Sequence, residues 1–202
     1  MSGQGPAGAL GRLGDLMGDP GRPPVEVRWE RAVERLGVQL PSDFRAFVER
    51  YGRVRYHDDL VVVAPSLRPG VPESERFDGL YVFNRDISEM LEECYGWEPE
   101  AERPYEPFFP GRRGLLAWAN NTNCDYFCWD TTADDPDQWP VVVWRFSFSE
   151  FDRFDGGMAD FLAAVLTGEF PDAEELIDRT MDPEMWKSVS PRATPEDGPD
   201  AH

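Results

Sequence analysis

Paired carboxylates are the residues of this 202-residue chain that come closest to catalytic chemistry. Asp58–Asp59 and Asp134–Asp135 are the compact pairs, and neighbouring carboxylates can hold Mg²⁺ or divide the roles of general acid and base. Both pairs fall in segments predicted to be loops, where a run of charge is usually a solvated face. We therefore expect these aspartates to contribute to a binding surface rather than to a reaction.

Other residue sets that support catalysis are missing from the sequence. The histidines are His57 and the terminal His202, so a histidine relay has one credible member. No GxSxG, Walker, GxGxxG or HExxH motif occurs. The cysteines form no CxxC pair and are expected to be small buried residues: Cys94, Cys124 and Cys128. The prediction is a protein that is not an enzyme, with no cofactor and no metal ion.

The charge of the chain points to the kind of partner it would bind. The formal net charge is −19 and the pI is about 4.4, so the overall field repels nucleic acids and anionic membranes and attracts a cationic protein. Acidity that serves solubility alone remains an alternative. No apolar run approaches the roughly 20 residues of a membrane span, and the N-terminus lacks a signal-peptide core. We expect a cytoplasmic monomer.

Two helices are expected to open the folded domain. The first covers about 26–36 and ends at Gly37, and the second follows Pro41 and ends at Gly52. The apolar residues of the second recur at helical spacing: Phe44, Phe47, Val48 and Tyr51. Composition predicts a flexible Gly/Pro-rich leader at 1–24, one domain at 25–186 and a disordered acidic tail at 187–202.

The rest of the chain reads mainly as strands. Strands are predicted at 58–65, 114–118, 126–130 and 140–146, with a possible short one near 80–83, then a helix capped by Ser88. A last helix at about 157–167 ends at Gly168. This order predicts an α+β fold in which an antiparallel sheet carries helices packed on one side.

Alternation along the strand at 126–130 separates its side chains into two rows. Asp125, Phe127 and Trp129 fall on one face, and Tyr126, Cys128 and Asp130 on the other. We predict that Phe127 and Trp129 point inward, which leaves Asp125 at the rim of the turn. Trp118 and Trp144 are also expected in the core.

Three ordered segments resemble the SUKH superfamily, the group that includes the yeast Smi/Knr cell-wall regulators. They are ERLGVQLPSDFRAFVERYG (34–52), GLLAWANNTNCDYFCWDT (114–131) and DPDQWPVVVW (135–144), and FLAAVLTGEF (161–170) is similar to the closing helix of the family. The resemblance spans about 26–170. Cys124 stands where many relatives carry Gly, which is a departure in the turn.

The resemblance implies a function. Many bacterial SUKH proteins are immunity proteins that bind and block a polymorphic or contact-dependent toxin, often a nuclease or a deaminase. Such toxins need basic clefts to hold phosphates, so an acidic inhibitor would suit them. The alternative is a non-catalytic regulatory or scaffold module of the Smi/Knr type.

Exposed acids beside aromatic residues would be the natural anchor for such a partner. The first predicted patch joins the turn at 120–125 to the loop at 134–139: Asn120, Asn121, Asn123, Asp125, Asp134, Asp135, Asp137 and Trp139. The second patch is Tyr56, Asp58 and Asp59, and the aromatic run Tyr105–Phe109 is a third possibility. The alternative is that these residues only form turns and pin loops to the core.

Overall fold

The sheet is a six-stranded antiparallel meander. The computed structural model describes residues 6–21, 23–24, 26–56, 60–65, 79–97, 103–148 and 150–177. Within these residues the strands lie in chain order, each hydrogen-bonded to the next. They are β1 Val54–Tyr56, β2 Leu60–Val62, β3 Leu115–Asn121, β4 Tyr126–Asp130, β5 Val141–Arg145 and β6 Glu150–Phe154. The α+β antiparallel prediction is confirmed.

The two opening helices confirm the periodicity of the sequence. α2 (Trp29–Leu36) starts three residues later than predicted and ends at Gly37, whose φ of 73° is left-handed and whose N–H reaches the Val33 carbonyl. α3 (Ser42–Tyr51) follows Pro41 and ends at Gly52. Its four apolar residues at helical spacing are all buried.

The N-terminal segment contains a helix that the sequence did not predict. α1 (Pro6–Met17) lies within the expected flexible leader, yet Ala9, Leu13 and Met17 are buried in the main core. The helix packs against α3 and α5 (Met158–Thr167), and Arg12 pairs with Glu169 just beyond α5. The leader prediction is therefore wrong over residues 6–17, because tertiary packing outweighs the low helix propensity of its glycines.

Asp43 ties α3 to α5. Its carboxylate accepts the N–H of Ala159 at 2.9 Å and that of Phe44 at 2.7 Å, so an α3 side chain caps the first turn of α5. A Cβ at Gly157 would lie 2.7 Å from the same carboxylate, which explains the glycine there. As predicted, α5 ends at Gly168 with left-handed φ, and α6 (Ala173–Leu176) follows.

Helices cover both faces of the sheet, which corrects the expectation of one side. α1, α2, α3 and α5 cover the first face, where Trp118, Phe127 and Trp129 lie. α4 (Gly79–Trp97) packs on the second face through Ile87, Leu91 and Tyr95. The second face needs cover because the strands bury both of their sides: all five residues of β5 are buried.

α4 also replaces two sequence predictions. Residues 80–83 are its first turns rather than a strand, and Ser88 is inside the helix rather than its cap. The Ser88 hydroxyl donates to the Phe108 carbonyl, and the Asn84 amide donates to the carbonyls of Leu80 and Ala117 and accepts the Ala117 N–H. Ala117 borders a register shift in β3, so Asn84 satisfies backbone groups at this bulge.

Two strands were not predicted, and one cysteine differs from its prediction. β1 is only three residues long, and β6, at the sheet edge, carries charged side chains that hide its alternation. Cys128 is buried as predicted, whereas Cys124 is exposed in the turn with a φ of 64°. The described residues contain no helix that is both long and apolar enough to cross a bilayer.

Candidate binding surface

The two halves of the first predicted patch lie at opposite ends of the sheet. In a meander the strand connections alternate between the two ends, so the turn after β3 and the loop after β4 cannot adjoin. The first and last of the five residues of β4 are four steps apart, so at roughly 3.3 Å per step the strand separates the two halves by about 13 Å. The structure therefore divides the predicted patch into an Asn-rich turn and an acidic loop.

The Asn-rich turn is used inside the protein. Asn121 and Asp125 are buried, and the Asn121 amide donates to the Asp125 carboxylate at 3.0 Å and to the Leu176 carbonyl at 3.3 Å. Asn123 is exposed but donates to the Glu175 carbonyl at 3.0 Å. These contacts hold α6 against the sheet, so turn formation and docking of α6 explain these residues.

A buried arginine strengthens the same junction. The Arg145 guanidinium, with 9% of its side chain exposed, contacts Asp152 at 2.8 Å and Glu175 at 3.0 Å. Burial alone would lower the pKa of Arg145, but the hydrogen bond to Asp152 and the charges of Asp152, Asp125 and Glu175 together raise it. Arg145 therefore stays charged and links β5, β6 and α6.

The acidic loop does present carboxylates to solvent. Asp134 leaves 94% of its side chain exposed while pairing with Arg113. Asp135 accepts the Asp137 N–H at the start of a one-turn 3-10 helix, and Asp137 accepts the Ser42 N–H at the start of α3. Trp139 is buried and donates to the Ala133 carbonyl, so it is a core residue and not an exposed anchor.

The second predicted patch is only partly described. Tyr56 is 1% exposed and belongs to the core, so the expectation that it faces a partner is wrong. Asp58 and Asp59 lie outside the described residues, as does the predicted tail at 187–202. Leu60, the first residue of β2, pairs with Asn121 of β3, so β2 begins at the same end of the sheet as the Asn-rich turn.

A further surface, of which the sequence predictions included only Tyr105 from the third patch, lies on the second face of the sheet. We call it the aromatic face and define it by five half-buried rings: Phe83, Tyr105, Tyr126, Phe146 and Phe151. Tyr126 and Phe151 flank Trp144, with ring centroids 5.4 and 6.2 Å from it. Asn120 pairs with Tyr126 across the strands, so a residue of the first predicted patch borders this face.

Some polar groups around the aromatic face already form ion pairs within the protein. Arg153 contacts Asp155 at 2.9 Å and Asp130 at 3.1 Å, and the bond to Asp155, with those to Tyr105 and Asp130, raises its pKa. Burial raises the pKa of Tyr126, so its phenol is neutral at pH 7 and can donate a hydrogen bond. Strand alternation predicts that Tyr126 lies on the face opposite to Phe127, whereas Phe151 on β6 had no such signal.

Metal binding has no support among the described side chains. No group of three or more histidine, cysteine, aspartate or glutamate residues within them is arranged to hold an ion.

The six-stranded meander with helices on both faces defines a compact α+β domain. Residues 26–162, more than half of the chain, match the model of the SUKH_6 family, described as SMI1-KNR4 cell-wall. The chain belongs to this family, and the predicted SUKH resemblance is confirmed. No curated protein and no solved structure matches this chain. α1 and α6 both lie outside the matched residues.

Proposed function

We propose that this chain is a bacterial immunity protein that binds a polymorphic or contact-dependent toxin in the cytoplasm and occludes its active cleft. Membership of the SUKH_6 family over residues 26–162 carries this proposal, because many bacterial members of the superfamily act in this way. The role is stoichiometric binding by a monomer and not catalysis. The toxin is a nuclease or a deaminase with a basic active cleft.

Charge supports a cationic partner. A net charge of −19 attracts a basic protein and accelerates its association. The acidic loop places Asp134, Asp135 and Asp137 on the surface, where they can steer an incoming basic cleft. Such exposed charges change the association rate more than the final affinity.

The test is recovery of the partner by tagged protein from a lysate of its own organism, washed at low and then high salt. We expect one basic protein carrying a nuclease or deaminase domain, encoded beside this gene. Its association rate should fall about tenfold or more as salt rises, since exposed charges are screened beyond about 8 Å at 0.15 M ionic strength. Co-expression should then restore growth of cells that make the toxin.

A regulatory scaffold is the second candidate, and the cell-wall description of the matched family favours it. It predicts recovery of a housekeeping protein and no adjacent toxin gene. That result would replace the immunity proposal, and recovery of no protein from cells that express the toxin would reject it.

A further inference from the structure

The hydrophobic cluster on the second face of the sheet, here called the second core, is unusually open on one side. Eight apolar residues are buried in it and seven are only half-buried, whereas the main core has thirty-eight buried and nine half-buried among the described residues. α4 packs mainly on β3, and its buried residues also join those of β4 and β5 in this core. Beside the helix the rings are only half-buried, as far as Phe146 and Phe151. The aromatic face is this less covered area.

α4 supplies one wall of the aromatic face and an acidic border. Phe83, Met90 and Cys94 recur at i, i+7 and i+11 along one flank of the helix and are half-buried. Phe83 approaches Tyr126 with a centroid distance of 6.2 Å. Glu93 and Asp86 are exposed on the adjoining stripe, Asp86 in an ion pair with Arg85 at 2.9 Å, so carboxylates border the rings.

This composition fits a basic protein better than a second copy of the chain. Two copies that each carry −19 would repel each other. Aromatic rings attract guanidinium and ammonium groups, and the same core already shows the geometry, since the Arg103 guanidinium lies 5.1 Å from the Tyr95 ring centroid. Carboxylates at the border would pair with further cations.

We propose that the aromatic face is the docking surface for the basic protein partner, with Tyr126 at its centre receiving an arginine or lysine side chain. This inference rests on the proposed function and assigns the surface that performs it. At protein interfaces, aromatic residues in the desolvated centre usually contribute most of the binding energy, and polar or charged residues form the rim.

The experiment compares two half-buried tyrosines, Tyr126 on β4 at the aromatic face and Tyr81 on the side of α4 that packs on the main core. Tyr126→Ala removes the central ring of the aromatic face, and Tyr81→Ala is the matched control, since Tyr81 packs on the main core. With the partner recovered by the wild-type protein, we expect Tyr126→Ala to weaken Kd by about tenfold or more, as a hot-spot residue would. Tyr81→Ala should stay within about threefold.

Photocrosslinking checks the occupant without relying on the stability of an alanine variant. p-Benzoylphenylalanine at position 126 should crosslink to the same basic protein, and at position 81 it should not. A crosslink from 126 to a second copy, or to a peptide of the same chain, would overturn the proposal by naming another occupant.

The failures of the two proposals are distinguishable. If the wild-type protein recovers a toxin while position 126 neither crosslinks to it nor affects its Kd, the surface is wrong and the immunity function stands. If the wild-type protein recovers no toxin, the proposed function fails and the docking proposal fails with it.

Discussion

At the residue scale, Asp43 shows how one buried carboxylate joins two helices. It accepts two backbone N–H groups, from Phe44 and Ala159, yet burial, with smaller contributions from Asp137 and Asp160, raises its pKa above the ordinary 3.8. A carboxyl with a raised folded-state pKa contributes stability that is fully present below pH 3.8. That contribution is lost as pH rises through the folded-state pKa.

Substitution of Asp43 should separate the hydrogen bonds from the charge. Asp43→Ala leaves two N–H groups without their acceptor and should lower the free energy of unfolding by about 1–3 kcal/mol. Asp43→Asn removes the charge and keeps one acceptor oxygen, but its NH2 faces the second N–H, so it should be less stable than wild type at low pH. Because wild type loses stability as pH rises from about 4 towards 7 and the amide does not titrate, this deficit should shrink across that range. Urea unfolding across that range checks both, and a stability difference that is independent of pH would contradict the argument.

Asn121 and Asn123 have the same side chain but differ in burial, which makes them a matched pair. Asn121→Ala should lower the free energy of unfolding by about 1–3 kcal/mol, because its buried partners at Asp125 and Leu176 lose their hydrogen bonds. Asn123→Ala removes one exposed bond and should cost about 0.5 kcal/mol. Hydrogen exchange should show faster exchange of residues 173–177 in the first variant; equal effects would show that docking of α6 does not depend on Asn121.

At the element scale, α1 is a covering helix rather than a leader. Leu13, on the inner face of α1, is fully buried in the main core, whereas Leu16 on the same helix is half-buried. Leu13→Ala should therefore cost about 2–5 kcal/mol through lost burial and a residual cavity, and Leu16→Ala clearly less. Chemical denaturation measures both, and an unchanged midpoint for Leu13→Ala would mean that α1 contributes little to stability.

Elements with a strong local signal were predicted well. Helices α2, α3 and α5 have apolar residues at helical spacing and a glycine just after their last residue. The central strands β3–β5 are short apolar runs, so local sequence was enough. α1 and the first half of α4 lacked that signal, since glycines weaken the first and polar residues interrupt the second. Their helices depend on surfaces supplied by distant strands and helices.

At the scale of the whole molecule, the net charge of −19 works against the compact fold through self-repulsion. Raising NaCl from 0.01 to 0.15 M shortens the screening length from about 30 to about 8 Å. We expect this to raise Tm by about 2–4 °C, the shift that about 1 kcal/mol produces in a chain of this size. Near pH 4.4 the rise should vanish; an equal rise there would show that salt acts through something other than charge.

The sequence by itself determined the family, the antiparallel α+β class, the acidic character and the inward row of Phe127 and Trp129, because each depends on local periodicity or composition. Tertiary structure alone decided which polar residues are free to bind. It buried Tyr56, Trp139 and Asp125, engaged Asn121 in docking α6, and separated the Asn-rich turn from the acidic loop. The physical reason is that burial and distance depend on strand order and on helices far away in the chain, which no local pattern encodes.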